Sequence, residues 1–125
     1  MNNTAPGGAV LVVEDDPSLN QLFANMFERA GREVRGVYSI RQATGYLDVF
    51  GPPMLVTLDL DLPDGDGVQL LRILQEERFA NTKIVIVSQF SSARHDELDQ
   101  YRVDKRFTKP VSPMELMRYV RGAEG

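Results

Sequence analysis

The sequence contains no cysteine among its 125 residues. Disulfide bonds and thiolate metal sites are therefore excluded, and a bound metal ion would need oxygen ligands or the single histidine, His95. Basic residues are also scarce: 14 Lys and Arg stand against 18 Asp and Glu, and the net charge of −4 argues against nucleic-acid binding. No apolar run approaches the roughly 20 residues that cross a bilayer, and the first residues lack the basic start and apolar core of a signal peptide. We therefore expect a cytoplasmic protein that contacts neither nucleic acid nor membrane.

What is present has the size and composition of one globular domain. With 42% hydrophobic and 26% charged residues, the chain can bury a core without disulfide bonds. We predict that residues 10–121 form this domain, that residues 1–9 are a flexible lead-in, and that residues 122–125 are a tail.

Apolar runs of strand type alternate with amphipathic stretches of helical type along this domain. The runs at 10–13, 54–58 and 83–87 are nearly continuous in apolar residues, which is typical of strands buried on both faces. A more polar run at 33–37 predicts an edge strand, and a short run at 106–108 predicts the fifth strand.

Each predicted strand is followed by a stretch in which apolar residues recur at helical spacing. Asp16 before Pro17, and Ser112 before Pro113, supply an N-cap and a first helical position. The fourth helix, predicted over 91–101, has the thinnest apolar face. Strands joined by helices run parallel with right-handed crossovers, so the pattern predicts a doubly wound α/β sandwich. In such sheets ligands bind beyond the carboxyl ends of the strands.

The carboxyl ends of the predicted strands carry the residues suited to chemistry. They are Glu14, Asp15 and Asp16 after the first strand, Asp59 and Asp61 after the third, Ser88 at the fourth and Lys109 after the fifth. Carboxylates this close repel each other unless a cation joins them, and hard oxygen ligands favour Mg²⁺ or Mn²⁺. A lysine supplies a second positive charge for an incoming phosphoryl group, and a hydroxyl can donate to it. Asp59 is therefore placed to act as a nucleophile that forms an aspartyl phosphate.

Four motifs along the chain carry a family resemblance: VLVVEDD, LDLDLPDGDG, IVIVS and TKP, in this order. Together they closely resemble the receiver domains of two-component response regulators, the CheY-like family, over residues 10–120. The resemblance implies a flavodoxin-like (βα)5 fold, with a five-stranded parallel sheet of order 2-1-3-4-5 and helices on both faces. It also implies a signalling switch in a phosphorelay, whose only enzyme-like activities are self-phosphorylation and slow autodephosphorylation.

The same resemblance implies a role for each polar residue at the strand ends. Asp59 would be the phospho-acceptor and Ser88 the switch hydroxyl, while Lys109 matches the family's lysine, whose bond to the following proline, here Pro110, is cis in relatives. The implied metal ligands are Asp15, Asp59, the backbone carbonyl of Asp61 and, through water, Glu14.

Partners also follow from the resemblance. A sensor histidine kinase or a phosphotransfer protein would donate the phosphoryl group, and an output protein or output domain would receive the signal. We expect the interaction surface on the fourth helix, the fifth strand and the fifth helix, in a monomer or a phosphorylation-dependent dimer. The sequence fits both a stand-alone receiver and a piece of a longer regulator.

Two residues, Arg106 and Gln89, depart from the family pattern, and Phe90 occupies a position that tunes the hydrolysis rate in the family. Arg106 stands where relatives usually carry Tyr or Phe. Because burial of its charge would be costly, we expect it to stay at the surface in an ion pair or a partner contact, with Phe107 pointing into the core. Gln89, after the switch hydroxyl, could partly cover the acyl phosphate. Phe90 is expected to obstruct the attacking water, which predicts a fairly long-lived phosphoryl group.

Simpler structural roles are expected for several other polar residues. Asp16 is expected to cap the first helix, and Asp64 and Asp66 to be loop residues, of which Asp66 could cap the third helix. His95 is expected to be exposed and inert on a polar helix.

Two other functions are compatible with parts of the sequence. LDLD also resembles the first motif of haloacid dehalogenase-like phosphatases, with Asp59 as nucleophile and Asp61 as the second acid. In this sequence, however, the acidic pair precedes Asp59 instead of following the lysine. A phosphorylation-independent interaction module is the other alternative, and Arg106 favours it mildly.

Overall fold

The computed structural model describes residues 8–89 and 92–124, which form one parallel sheet with helices on both faces. The five strands are β1 (Val10–Val13), β2 (Val34–Val37), β3 (Leu55–Leu58), β4 (Lys83–Ser88) and β5 (Lys105–Thr108). They lie in the order β2-β1-β3-β4-β5, and every neighbouring pair runs parallel. The predicted doubly wound fold and its strand order 2-1-3-4-5 are confirmed.

In these described ranges, five α-helices join or follow the strands. They are α1 (Pro17–Arg29), α2 (Ile40–Phe50), α3 (Val68–Ile73), α4 (Ser92–Leu98) and α5 (Pro113–Glu124), with a 3-10 turn at Glu77–Phe79 after α3. Within the described ranges, none of these helices combines the length and the apolar character that a bilayer crossing requires.

The sheet separates two apolar clusters. Along β1, Leu11 and Val13 face the cluster formed with α2, α3 and α4, whereas Val10 and Val12 face the cluster formed with α1 and α5. Successive side chains of a strand point to opposite faces, and both faces of this strand are covered by helices. This arrangement explains why the central strands are continuous apolar runs.

Helix α4 is shorter than the helix predicted over 91–101. It ends at Leu98, and the Tyr101 N–H donates to the Leu98 carbonyl at 3.0 Å in a tight turn. The Tyr101 hydroxyl accepts a hydrogen bond from Arg72 Nε of α3 at 2.9 Å, so this side chain is tied to a neighbouring helix. The predicted start at Ser91 lies outside the described residues.

The segment after β3 contains a short antiparallel hairpin that the sequence did not predict. In it, Asp61–Leu62 pairs with Gly65–Asp66. The chain then enters α3 through Gly67, where a Cβ atom would lie 2.7 Å from the Asp59 carbonyl oxygen. Glycine is therefore needed at this position, because the loop folds back closely on the end of β3.

Candidate functional site

The carboxyl edge of the sheet brings three acidic side chains together. Glu14 and Asp15 follow β1, and Asp59 follows the neighbouring strand β3. One carboxylate oxygen from each residue lies within 4.8 Å of the others. Glu14 and Asp59 are only 2% and 3% exposed, whereas Asp15 is exposed to solvent. The structure thus joins acids that are more than forty residues apart in the sequence.

The Asp59 carboxylate is held by donors from three separate segments. Ser88 Oγ, at the end of β4, donates to Oδ1 at 2.8 Å, and the Asp61 N–H donates to the same oxygen at 3.0 Å. Lys109 Nζ, after β5, donates to Oδ2 at 2.7 Å. The orientation of Asp59 therefore depends on the packing of β3, β4 and β5 against one another.

Lys109 bridges two carboxylates. Its Nζ lies 2.7 Å from Asp59 Oδ2 and 2.8 Å from Glu14 Oε1, and its peptide bond to Pro110 is cis, as the family resemblance implies. Burial alone would lower the pKa of Lys109, but the hydrogen bond to Asp59 and the ion pair with Glu14 outweigh it and raise the pKa above its ordinary value. The lysine therefore stays charged and partly neutralises the acids.

Glu14 has an unusual protonation equilibrium for a carboxyl group. Burial raises its pKa to about 7, against the opposing effects of Lys109 and of the Asp16 N–H, which donates to Oε2 at 3.1 Å. The other oxygen, Oε1, contacts Lys109 as an ion pair but receives no well-directed hydrogen bond from the part of the chain that is described. Buried oxygens without a directed donor are uncommon in folded proteins, so Oε1 is available to a further ligand.

The donor set fits a hard divalent cation. Glu14, Asp15 and Asp59 lie close together, and Lys109 contacts Glu14 and Asp59, so the mutual repulsion of the three acids favours an added positive charge. All the available donor atoms are oxygens, which suits Mg²⁺ or Mn²⁺ better than zinc. These three residues could therefore hold a metal ion.

The remaining site residues differ in burial. Ser88 is fully buried, and its Oγ also accepts a hydrogen bond from the Leu60 N–H at 3.3 Å. Asp61 has an exposed side chain and contributes its N–H to the site, and Gln89 is exposed beside Ser88. Phe90 lies outside the described residues, so its expected effect on the attacking water stays a prediction.

Arg106 makes an ion pair, as expected from the sequence. Its Nη2 lies 2.8 Å from Asp99 Oδ1, and its Nη1 donates to the His95 carbonyl at 3.3 Å. The expectation that His95 is exposed is wrong: the residue is half-buried, and its Nδ1 lies 3.2 Å from Arg106 Nη1.

Phe107 packs on the α1 and α5 side, edge-on to Tyr119 with ring centroids 6.1 Å apart, which confirms its predicted direction.

Two acids of the hairpin segment make defined contacts. Asp64 Oδ1 accepts from the Ile40 N–H at 2.9 Å and Oδ2 from the Arg41 N–H at 3.0 Å, so Asp64 caps α2 from a distant part of the chain. These bonds lower the pKa of Asp64 below its ordinary value. Asp66 Oδ1 accepts from the N–H of Val68, the first residue of α3, at 3.0 Å.

Two polar links near the site were not expected from the sequence. Asn20 on α1 is 2% exposed and donates to the Glu14 carbonyl at 2.9 Å. Asp66 also pairs with Arg94 of α4, and this pairing lowers the pKa of Asp66. A polar residue within the apolar stripe of α1 was a usable signal for Asn20. No local signal points to the link between Asp66 and Arg94, since the two residues come from different elements.

Residues 10–121 match the family model described as response regulator receiver domain. The chain belongs to this family. The receiver domain is 32% identical over 118 residues to the transcriptional regulatory protein TrcR of Mycobacterium tuberculosis, and this similarity covers 90% of the chain and 44% of TrcR. Among solved structures, the receiver domain of the Francisella response regulator 1452 has a TM-score of 0.79 at 28% identity, covering 90% of this chain and 93% of that one. A sensor protein from Polaromonas sp. JS666 has a TM-score of 0.77 at 33% identity, covering 94% and 96%.

The receiver domain spans about half the length of the transcriptional regulators it matches, between 44% and 49% in three of them. Receiver domains are signalling domains and not classical enzymes.

Proposed function

We propose that this receiver domain is a phospho-accepting switch of a two-component phosphorelay, with Asp59 as the acceptor and Mg²⁺ (or Mn²⁺) as cofactor. One observation carries the proposal. The Asp59 carboxylate, 3% exposed, lies 2.7 Å from the Lys109 ammonium group and within 4.8 Å of the Glu14 and Asp15 carboxylates. A nucleophile, a fixed positive charge and an acid pair able to hold a metal therefore share one edge of the sheet.

In the proposed transfer, a sensor histidine kinase or a phosphotransfer protein presents a phosphohistidine. A carboxylate oxygen of Asp59 bonds to phosphorus, the nitrogen–phosphorus bond breaks, and the imidazole leaves with the bonding electrons and takes up a proton. Lys109 keeps its positive charge because its pKa is raised, and it stabilises the negative phosphoryl oxygens. The Ser88 hydroxyl now donates to Asp59 Oδ1 at 2.8 Å. After the transfer it would donate to a phosphoryl oxygen in place of this carboxylate oxygen.

The acidic residues of the site have a separate role in this proposal. Asp15, Asp59 and the backbone carbonyl of Asp61 would hold the metal directly, and Glu14 would hold it through water. When bound, the metal supplies positive charge that favours phosphoryl oxygens at this position.

Phosphorylation of Asp59 would change the affinity of the receiver domain for an output protein or an output domain, as a monomer or a phosphorylation-dependent dimer. The surface formed by α4, β5 and α5 is the proposed contact region. Arg106 of β5 belongs to this region, and its guanidinium group is paired with Asp99. Loss of the phosphoryl group by autodephosphorylation would be slow, with Gln89 and Phe90 limiting access of water.

The test is intact-protein mass spectrometry after incubation with acetyl phosphate or phosphoramidate and Mg²⁺. We expect the wild-type protein to gain the mass of one phosphoryl group and Asp59→Asn to gain none. Asp61→Asn is the matched control, because only the backbone of Asp61 has a role in the proposed site, and it should be phosphorylated. A wild-type protein that gains no phosphoryl mass would contradict the proposal and favour a phosphorylation-independent interaction module.

The same control variant separates the receiver from a haloacid dehalogenase-like phosphatase. That mechanism needs the Asp61 carboxylate as its second acid, so Asp61→Asn would abolish repeated release of phosphate from p-nitrophenyl phosphate. A receiver, in contrast, is phosphorylated once. Neither the wild-type protein nor Asp61→Asn should then show sustained turnover of p-nitrophenyl phosphate.

A further inference from the structure

A buried amide adjoins the acid pair. Asn20 lies on the inward side of α1 and is 2% exposed. Its Nδ2 donates to the Glu14 carbonyl at 2.9 Å and to the Val37 carbonyl at 2.9 Å. These carbonyls stand at the adjacent carboxyl ends of β1 and β2, so one side chain joins both strand ends to α1.

The carbonyl that Asn20 holds belongs to the peptide group between Glu14 and Asp15. On the N-terminal side of Glu14, its own N–H donates to the Val37 carbonyl at 3.0 Å. The backbone around Glu14 is therefore fixed by β2 on one side and by Asn20 on the other. Since side chains follow their backbone, rotation of this peptide group would move the Asp15 carboxylate relative to that of Glu14.

Gly36 of β2 leaves the space that Asn20 needs. A Cβ atom at Gly36 would lie 2.2 Å from Asn20 Oδ1, which is far closer than any contact between unbonded atoms. The side-chain amide of Asn20 can therefore occupy this position only because Gly36 of β2 has no side chain.

Packing alone does not explain an amide at this position. Phe23 and Phe27, on the same buried side of α1, are at most 1% exposed and lie in the apolar cluster. A buried amide is costly unless it is hydrogen-bonded, and an apolar residue would continue the stripe without that requirement. The amide is explained by the two carbonyls that it holds.

We infer that Asn20 is a positioning residue of the metal site, because it fixes the Glu14–Asp15 peptide group and so sets the separation of the two carboxylates. The inference rests on the proposed function. Groups that orient metal ligands without touching the metal commonly change metal affinity by about 10- to 100-fold.

The test is a calorimetric titration of the purified protein with Mg²⁺, at one fixed pH for the wild type and all variants. Asn20→Leu keeps the approximate size of the side chain and removes both donors, and its Kd for Mg²⁺ should rise about tenfold. Thr82→Val is the matched control: Thr82 Oγ1, also buried, donates to the Pro53 carbonyl at 2.7 Å at the opposite edge of the sheet. It loses a buried bond of the same kind, and its Kd should equal that of the wild type.

A second set of variants tests the inference if Asn20→Leu does not fold. Gly36→Ala places a methyl group against Asn20 Oδ1 and displaces the amide, so it should also weaken Mg²⁺ binding. In an Asn20→Ala background the same methyl group meets no amide, and adding Gly36→Ala should leave the Kd unchanged. Such non-additivity shows that Gly36 acts through Asn20.

Two results would overturn the inference in distinguishable ways. A folded Asn20→Leu or Gly36→Ala protein with the wild-type Kd would remove the positioning role and leave the proposed function intact. A wild-type protein that binds no Mg²⁺ would remove the proposed metal site, and the inference with it. The NMR chemical shift of the Asp15 backbone amide in metal-free protein gives an independent readout. It should change in Asn20→Leu and in Gly36→Ala but not in Thr82→Val. An unchanged shift in the first two variants counts against the inference.

Discussion

At the scale of single residues, the behaviour of the site with pH depends on Glu14. Its pKa of about 7 means that the carboxyl group is largely protonated in mildly acidic, metal-free protein. Lys109 forms ion pairs with both Glu14 and Asp59. When Glu14 is protonated, the charge of Lys109 therefore interacts mainly with Asp59.

Mg²⁺ affinity should therefore rise with pH. A metal that draws on the Glu14 carboxylate must displace its proton, so the apparent Kd should fall by up to about tenfold per pH unit below pH 7 and level off above it. Calorimetric titrations between about pH 6 and pH 8 measure this slope. In Glu14→Gln no proton is available at this position and the slope should flatten; an equally steep profile in that variant would contradict the assignment.

The meeting of Glu14, Asp59 and Lys109 could be predicted from the sequence, because parallel strands place their carboxyl ends at one edge. The contacts of Asn20 and Asp64 could not. Both side chains bond backbone groups of other elements, and which carbonyl or N–H they reach depends on how helices pack on the sheet. Sequence spacing carries no information about that packing.

At the scale of elements, the described side chains of α4 make several charged contacts. Among them Leu98 is fully buried, while Arg94 pairs with Asp66, and Arg106 of β5 contacts Asp99 and the His95 carbonyl. An element with few buried apolar contacts opens more easily than the core.

Removal of the Arg106 contacts should loosen α4 selectively. In Arg106→Met the apolar stem remains but the bonds to Asp99 and His95 are lost, and amide hydrogen exchange within α4 should speed up by roughly five- to tenfold. Exchange measured by NMR in α2 should not change. Arg78→Met, which breaks an exposed pair with Glu76, is the control and should leave α4 rates as in the wild type. Unchanged α4 rates in Arg106→Met would show that the ion pair does not anchor the helix.

The strands and the start of α1 could be predicted because their signals are local: continuous apolar runs, and Asp16 before Pro17. The end of α4 and the hairpin of Asp61–Leu62 with Gly65–Asp66 could not be predicted. In both places tertiary contacts decide the backbone, through the Tyr101 bond to Arg72 and through the close approach of Gly67 to the Asp59 carbonyl.

At the scale of the whole molecule, Mg²⁺ should stabilise the fold. A metal that binds the folded chain alone, at about 100 times its Kd, adds about 2.7 kcal/mol to the free energy of unfolding. Thermal unfolding should then shift upward by roughly 10 °C. The shift should vanish with a chelator and be much reduced in Asp15→Asn, with NaCl of equal ionic strength as the reference. A full shift in Asp15→Asn would place the metal elsewhere.

The two apolar clusters on opposite faces of the sheet share no residue among those described. A substitution in the cluster beneath α4 therefore does not oblige the cluster beneath α1 and α5 to repack. In evolutionary terms, the side chains on one face of the sheet can change in size and shape without compensating changes on the other face.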